Sequence, residues 1–304
     1  MLRQSNCIKT ALHTAGLTLQ AGIGQSFLVK AIYVGIVTTA GYLAVKVDNF
    51  SVAYYLVKGK RGNELGGQEF FKDGYNLMKK LVDRGLPFSI PVAEGQKLTL
   101  PVLDGIGYFW VVYDRYDAQD ILATAPNGTQ SKKFGFIQYL RESNVITASG
   151  DMLLDTAITP AEFPTFPAGV AVPARMTIKI HGIHGSPVAD AASSANLFYT
   201  TYLKLVKERE VLFDEDRNGI PFHGRLAATS SADYSFVESL IGCGGETPTA
   251  VGDMVYREPL WFTPPLEFMS GEELLVYLTW VKVGTRTMAA DLPAVGLIME
   301  CNRQ

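Results

Sequence analysis

The sequence carries little charge for its length. Lys, Arg, Asp and Glu make up 19% of the 304 residues, whereas about 25% is typical of soluble domains. The formal net charge of −3 argues against a general nucleic-acid-binding protein, because such proteins normally carry a basic face. Since the cores of protein interfaces are depleted in charged residues, the low charge predicts that other subunits cover much of the surface.

Long apolar runs are also missing. The most apolar stretch, residues 27–45, is interrupted by Lys30, Gly35 and Gly41. A helix that crosses a bilayer needs about 20 mostly apolar residues in succession. The stretch therefore predicts two β-strands joined by a turn, and no spanning helix is expected anywhere in the chain.

Cysteine is scarce and has no pattern. Cys7, Cys243 and Cys301 lie far apart and match no metal-binding spacing, which predicts free thiols in a reducing compartment. The first twenty residues contain no continuous apolar core, and this argues against a secretory signal. We therefore expect the protein to be made and assembled in a cytoplasm.

Strand signals are what the sequence has in abundance. Short segments rich in β-branched and aromatic residues recur along the chain, and each ends at Gly, Asp, Asn or Pro. In residues 41–48, Leu43, Val45 and Val47 alternate with small or polar residues, which is typical of a half-buried strand. Helical patterns are few. The two candidates are Gln68–Arg84 and Ser231–Ile241.

One segment of the first half resembles a segment of the second. IPVAEGQKLTL at Ile90–Leu100 aligns with LEFMSGEELLV at Leu266–Val276. Gly95 falls on Gly271, the apolar positions agree, and a strand that contains tryptophan follows each segment. The agreement predicts the same hairpin in both halves.

A second resemblance lies upstream of the first. FLVKAIYVG at Phe27–Gly35 aligns with MTIKIHGIHG at Met176–Gly185, with Lys30 on Lys179. In both halves a strand pair, a polar Gly turn and a helical pattern stand between the two repeated segments. This shared order predicts an all-β chain built as two successive β-sandwich lobes of one design.

The repeat predicts four consecutive regions. The region between the lobes contains the run TPAEFPTFPAGVAVP, which cannot form a central strand because proline lacks the ladder donor. We expect it to be an extended connector, with a helix or strand at residues 134–140. The regions are an N-terminal arm at 1–16, a first lobe at 17–125, a connector at 126–173 and a second lobe at 174–304.

The sharpest motif is an acidic turn in the second half. Asp214, Asp216 and Asn218 begin like the calcium loop of an EF-hand, but its twelfth position is Arg225, which supplies no carboxylate. Asn218 and Gly219 tolerate positive φ, so a tight turn is the preferred interpretation. The three oxygen-bearing residues are weak metal candidates, and no cofactor is expected.

Other motifs give no catalytic site. His181 and His184 are three residues apart, so on a strand they would face opposite sides and could not easily share a metal. Cys243 lies in a Gly-rich loop that does not follow a strand and open a helix, as phosphate-binding loops do. No nucleophile elbow is present.

Paired carboxylates are the remaining catalytic candidates. Glu272 with Glu273, and Asp114 with Asp117, would suit a glycosidase in principle. Acids at strand ends and turns are common, however, and nothing else in the sequence converges on either pair. We therefore predict that the protein is not an enzyme.

This layout resembles one known family. Two consecutive sandwiches, each with a helix in an equivalent position, are similar to the double jelly-roll major capsid proteins of tailless icosahedral viruses, the adenovirus-like lineage with many internal-membrane bacteriophages. The resemblance rests on the two aligned pairs of segments and the two helical candidates, and it covers most of residues 17–301 as a layout. It implies two consecutive jelly rolls and a structural role in the virion.

The same resemblance implies partners. Capsid proteins of this family form homotrimers of pseudo-hexagonal outline that assemble in the host cytoplasm and tile into an icosahedral shell. Neighbouring capsomers, other virion proteins and an internal lipid membrane near the N-terminus would be the contacts, without specific nucleic acid. Two alternatives remain open: a virion spike, receptor-binding or lectin-like protein, and a glycan-acting hydrolase on two jelly rolls.

Overall fold

The computed structural model describes residues 2–9, 16–37, 41–57, 77–102, 106–121, 132–144, 147–186, 197–213, 219–224, 226–228, 234–236, 259–283 and 294–304. Over these ranges the fold is all-β, as the sequence predicts, with antiparallel sheets and one short α-helix. No helix in the same ranges is long and apolar enough to cross a membrane.

The chain divides into two compact units. Neither unit is a continuous stretch of sequence, and the strands at residues 133–141 and 294–303 are each divided between the two. Unit 1 is Met1–Phe136, Thr159–Phe163 and Glu300–Arg303, and unit 2 is Ile137–Ile158, Pro164–Met299 and Gln304.

Unit 1 contains two four-stranded sheets. The strands are β1 (Gln4–Lys9), β2 (Leu17–Gln20), β3 (Gln25–Val37), β4 (Gly41–Val47), β5 (Phe50–Val57), β6 (Ile90–Val92), β7 (Lys97–Leu100) and β8 (Ile106–Asp117). One sheet has the order β1-β8-β3-β6 and the other the order β2-β7-β4-β5. The apolar stretch at residues 27–45 thus forms parts of β3 and β4, as its composition predicts.

The core of unit 1 draws on both of its sheets. Leu43, Val45 and Val47 of β4 are at most 1% exposed, which confirms the half-buried strand predicted from their alternation. They belong to one apolar cluster with inward residues of both sheets, including Phe27 and Val111. Burial of such side chains is worth about 1.5–3 kcal/mol each, so the alternating pattern fixes which face of each strand points inward.

A short helix, α1 (Leu77–Asp83), packs on this core through Met78, which is 2% exposed. Gly85 ends this helix, one residue past the predicted boundary at Arg84. Gly85 has φ +76°, its N–H donates to Val82 O at 2.9 Å, and the next N–H donates to Leu81 O at 3.1 Å. This bond pair is the Schellman arrangement that ends many helices at glycine. Residues 68–76 of the predicted helix lie outside the described residues.

Unit 2 has the larger set of strands. They are β9 (Lys133–Arg141), β10 (Gly150–Leu153), β11 (Thr156–Ile158), β12 (Met176–Ser186), β13 (Leu197–Lys207), β14 (Glu210–Leu212), β15 (Ile220–Gly224), β16 (Leu226–Ala228), β17 (Tyr234–Phe236), β18 (Leu260–Phe268), β19 (Leu274–Val283) and β20 (Ala294–Arg303). One sheet has the order β11-β9-β20-β12-β18. A second has the order β10-β19-β13-β14, with β15 also on β13, and β16 pairs with β17.

Two features of this region differ from the sequence analysis. Residues 126–173, expected to be a connector with a helix or strand at 134–140, contribute β9 at that place and also β10 and β11, whereas the proline-rich run from residue 159 onward contains no strand. In the predicted helix Ser231–Ile241, residues 234–236 form the strand β17 on β16, so that helix is wrong at its centre. Two aromatic residues flank Ser235 there, and aromatic residues favour strands.

Candidate functional site

Only the last residue of the acidic turn lies within the described residues. Residues 214–218, which include the weak metal candidates Asp214, Asp216 and Asn218, lie outside the described residues. Gly219 is described, and its φ of +97° fits the predicted tight turn. A Cβ added at Gly219 would clash with the Leu203 carbonyl oxygen and lie 2.8 Å from Lys204 Cα, so the chain needs glycine at this point.

The histidine motif lies on β12. The ladder between β12 and β18 shifts register between Ile180 and Gly182, next to His181. The additional residues lie on β18, where Pro264 and Pro265 lack ladder donors and force the irregularity. In the described ranges, no group of three or more His, Cys, Asp or Glu side chains could hold a metal ion.

The described cysteines have opposite environments. Cys7 is exposed on β1, whereas Cys301 is buried on β20. Burial raises the pKa of the Cys301 thiol to about 11. The thiolate is the nucleophilic form of cysteine, so Cys301 is not suited to nucleophilic chemistry. Cys243 and the glycine-rich loop around it lie outside the described residues.

Thiol labelling of the folded protein should separate these two residues. We expect a maleimide to modify Cys7 quickly and to modify Cys301 only after denaturation, because the Cys301 thiol is buried and protonated at neutral pH. Peptide mass mapping of the labelled chain would identify the sites. Equal modification of the two residues under native conditions would contradict the buried position of Cys301.

The acid Asp114 on β8 holds three strands together. It is 3% exposed, accepts a hydrogen bond from Ser5 Oγ of β1 at 2.6 Å, and forms an ion pair with Lys30 of β3. Burial opposes its ionisation, but the hydrogen bonds from Lys30 and Ser5 outweigh this effect and place the pKa of Asp114 below its ordinary value. The carboxylate is therefore ionised and engaged in a structural contact.

The other paired carboxylates also have structural partners. Asp117 forms an ion pair with Arg3, and this contact holds the start of β1 against the end of β8. Glu272 lies 2.8 Å from Lys207 Nζ and accepts the N–H of Met269 at 2.7 Å. Hydrogen bonds from Arg3 and Lys207 lower the pKa of Asp117 and of Glu272 respectively. Neither acid therefore has the raised pKa that a general acid needs.

Replacing Asp114 by asparagine should destabilise the fold at pH 7 by about 1–3 kcal/mol, because Lys30 loses its charged partner. The folded-state pKa of Asp114 is depressed. Its contribution is therefore present above the unfolded value of about 3.9 and lost as the pH falls through the folded-state value. Denaturant unfolding at several pH values would show the difference between wild type and variant shrinking in acid.

The control for this substitution is Asp83→Asn. Asp83 forms an ion pair with Lys79 on the solvent side of α1, and both side chains are about half exposed. Exposed pairs of this kind add little stability. If Asp83→Asn lowers the free energy of unfolding as much as Asp114→Asn does, the burial of Asp114 does not determine its contribution. The same conclusion follows if the stability lost in Asp114→Asn is unchanged in acid.

A corner of unit 1 joins the β6–β7 turn to the end of β2. Gly95 N–H donates to Ala21 O at 2.9 Å, and Ala21 N–H donates to Gln96 O at 2.9 Å. Gln96 Oε1 in turn accepts the N–H of Ala93 at 3.2 Å. Gly95 has φ +82°, a conformation that favours glycine.

A corner of unit 2 has the same bonds. Gly271 N–H donates to Val172 O at 2.9 Å, and Val172 N–H donates to Glu272 O at 3.0 Å. Glu272 Oε2 accepts the N–H of Met269 at 2.7 Å, as Gln96 does for Ala93 in unit 1. Gly271 has φ +89°. The two glycines aligned in the sequence thus lie in turns with the same hydrogen bonds.

The hairpins beside these corners agree as well. Asp48, between β4 and β5, has φ +54°, and Glu208, between β13 and β14, has φ +56°. Asp48 N–H donates to Lys97 O at 2.8 Å, and its carboxylate accepts Lys97 N–H at 3.0 Å. Glu208 makes both bonds with Glu273, at 3.1 and 2.8 Å. Comparison of the two halves of the sequence does not reveal this pair of hydrogen bonds, because Asp48 and Glu208 have side chains of different length and their neighbouring residues differ.

Strand pairing shows the same correspondence in the ladders. In unit 1 the ladder of β3 on β6 includes the pairs Phe27–Val92 and Val29–Ile90. In unit 2 the ladder of β12 on β18 includes the pairs Ile178–Phe268 and Ile180–Leu266. In both units the two pairs are therefore two residues apart on each strand.

These ladders correct one detail of the sequence alignment. They place Phe27 at the position of Ile178, and therefore Lys30 at that of His181, whereas the alignment puts Lys30 on Lys179. A slip of two residues returns every side chain to the same face of a strand, so the apolar pattern cannot reveal it. Hydrogen-bonded partners are needed to fix the register.

Comparison with known proteins gives no relative: no protein-family model, no curated protein and no solved structure matches the chain.

Proposed function

We propose that this chain is the major capsid protein of an icosahedral virion, built as two consecutive jelly rolls that assemble into trimeric capsomers. The observation that carries the proposal is the repetition of one strand arrangement in both units, together with its corner and hairpin bonds. The protein acts in this proposal as a building block, with no catalytic site and no cofactor.

The strand orders support a jelly roll in each unit. In an eight-stranded jelly roll, two Greek keys place strands one, eight, three and six in one sheet and strands two, seven, four and five in the other. Unit 1 has this order with β1 to β8. Unit 2 has it with β9, β10, β12, β13, β14, β18, β19 and β20, and the remaining strands are additions.

The repetition suits a shell for a geometric reason. Three copies of a chain with two similar lobes give six similar corners, and a six-cornered block tiles a surface with few gaps. Jelly rolls also occur in lectins and cupins, so the fold alone does not decide the function. The low charge of the chain favours assembly, because obligate contacts exclude charged residues from their cores.

Assembly of the purified chain tests this proposal. Sedimentation and negative-stain electron microscopy should show trimers that grow into sheets or shells as the concentration rises. A stable monomer at micromolar concentration that binds glycans would instead favour the lectin-like alternative. Hydrolysis of a glycan panel by the monomer would favour the enzyme alternative, and either outcome would overturn the capsid proposal.

A further inference from the structure

Unit 2 carries an insertion that unit 1 lacks. Over two residues of β4, the ladder partner moves from Ala53 to Tyr55 along the continuous strand β5. Over two residues of the matching strand β13, the ladder partner moves from Leu212 of β14 to Ile220 of β15. Unit 2 therefore has seven residues, 213–219, where unit 1 has one. The acidic turn belongs to this insertion and has no counterpart in unit 1.

The insertion begins with an exposed aromatic residue. Phe213 is 50% exposed and stacks on Phe262 of β18, with ring centroids 5.1 Å apart and an interplanar angle of 5°. Its φ is +71°, a conformation that bulky residues rarely adopt. Backbone strain of this kind persists where the surrounding structure enforces it, and binding sites are common places for it. Phe262 thus covers one face of the ring, while half of Phe213 stays open to a partner.

The charge next to this ring is negative. Asp214, Glu215 and Asp216 follow Phe213 in the sequence, and no other three consecutive residues are all acidic. Because neighbouring Cα atoms are about 3.8 Å apart, the covalent chain keeps Asp214 close to Phe213. The face of a phenyl ring also attracts cations, since its π-electrons give it a negative potential. The ring and the acids therefore select the same kind of partner, a positively charged segment.

The chain itself contains such a segment. Residues 58–61, which lie outside the described residues, are the only four consecutive residues that include three basic ones. We propose that the Phe213–Phe262 pair docks residues 58–61 of a second copy of this chain, and that the acids after Phe213 supply the complementary charge. This inference goes beyond the proposed function, because the contact needs two copies and no shell. Two acidic insertions would repel each other, so the insertion of one copy meets the basic segment of the next.

Two charge reversals and their combination test the contact. Lys60→Glu or Glu215→Lys alone should weaken self-association about fivefold at low salt, because each brings like charges together. The double variant should regain most of the wild-type affinity, because it exchanges the two charges. Sedimentation velocity over a range of concentrations gives the dissociation constants. Salt at about 0.5 M should reduce the differences, because it screens exposed charges.

Lys79→Glu is the matched control for Lys60→Glu. Lys79 lies on α1 with its side chain about half exposed, and its reversal changes the net charge by the same amount. Association of this variant should stay within about twofold of wild type, because an exposed charge outside the contact contributes little. Melting temperatures of all variants, measured in parallel, separate a lost contact from a lost fold.

Replacement of the aromatic ring supplies a second readout. Phe213→Leu keeps an apolar side chain but removes the ring face, and it should weaken association about threefold. A synthetic peptide of residues 56–63 should compete with the association of the wild-type chain. The same peptide with Lys60→Glu should compete less.

The outcomes separate this inference from the capsid proposal. Association like wild type in all of the variants at low salt would overturn the inference, even if the chain forms trimers with six lobes. Variants that melt earlier but associate like wild type would show a role in stability alone, and would also overturn it. Dimers or open chains that depend on both charged segments, without six-lobed trimers, would support the inference and contradict the capsid proposal. A chain that never associates would overturn both.

Discussion

Alanine at Leu98 or at Leu274 should destabilise its unit by a similar amount, about 3 kcal/mol within a range of roughly 2–5. The two residues are aligned in the sequence, both are 0% exposed, and each lies at the start of the strand that follows its corner turn. Removing either side chain deletes buried apolar contacts and leaves a cavity. Similar losses are expected because the ladders place the two leucines alike: Leu98 pairs with Val47 and Leu274 with Lys207.

Hydrogen exchange of buried amides, followed separately in each unit, would measure the two losses. Leu98→Ala should speed exchange in unit 1 and Leu274→Ala in unit 2. Lys97→Ala is the matched control, because the exposed neighbour of Leu98 contributes little to the core. A neutral effect at one leucine and a large effect at the other would argue against a common design for the units.

Alanine at Gly219 should be the most damaging of the glycine substitutions in positive-φ turns, at about 3 kcal/mol or more. Gly219 combines φ +97° with a backbone neighbour that an added methyl group would strike. The strain cannot relax through a flexible side chain, because the obstacle is the main chain of β13.

Gly271→Ala provides the control for Gly219. Gly271 has φ +89°, but an added Cβ there meets no atom within 4 Å. Gly271→Ala should therefore lower stability only through the unfavourable positive φ of alanine, by about 1–2 kcal/mol. Thermal unfolding of the two variants would compare them. Equal losses would show that the close approach at Gly219 does not affect stability.

Much of the fold could be predicted from local pattern. Period-two alternation predicts β4, and the order of segments aligns Gly95 with Gly271. Gly85 marks the end of α1. These signals are local because burial of one strand face and the need for positive φ act on single residues.

Long-range pairing could not be predicted in the same way. Nothing in the local pattern indicates that β9 joins β20, because partners so far apart leave no local signature. The sequence predicts an extended connector at residues 126–173 with a helix or strand at 134–140, and it gives no indication of β10 and β11. The structural role of Asp114 is also invisible in the sequence, since the contact with Lys30 depends on the ladder between β3 and β8.

Electron microscopy of the purified 304-residue chain tests the central claim most directly. Class averages of single particles should show a trimer with six similar lobes, and native mass measurement of the same sample should give three times the chain mass of 33.2 kDa. A monomer or dimer as the stable species, or a trimer without six similar lobes, would contradict the proposal that two jelly rolls per chain build a pseudo-hexagonal capsomer.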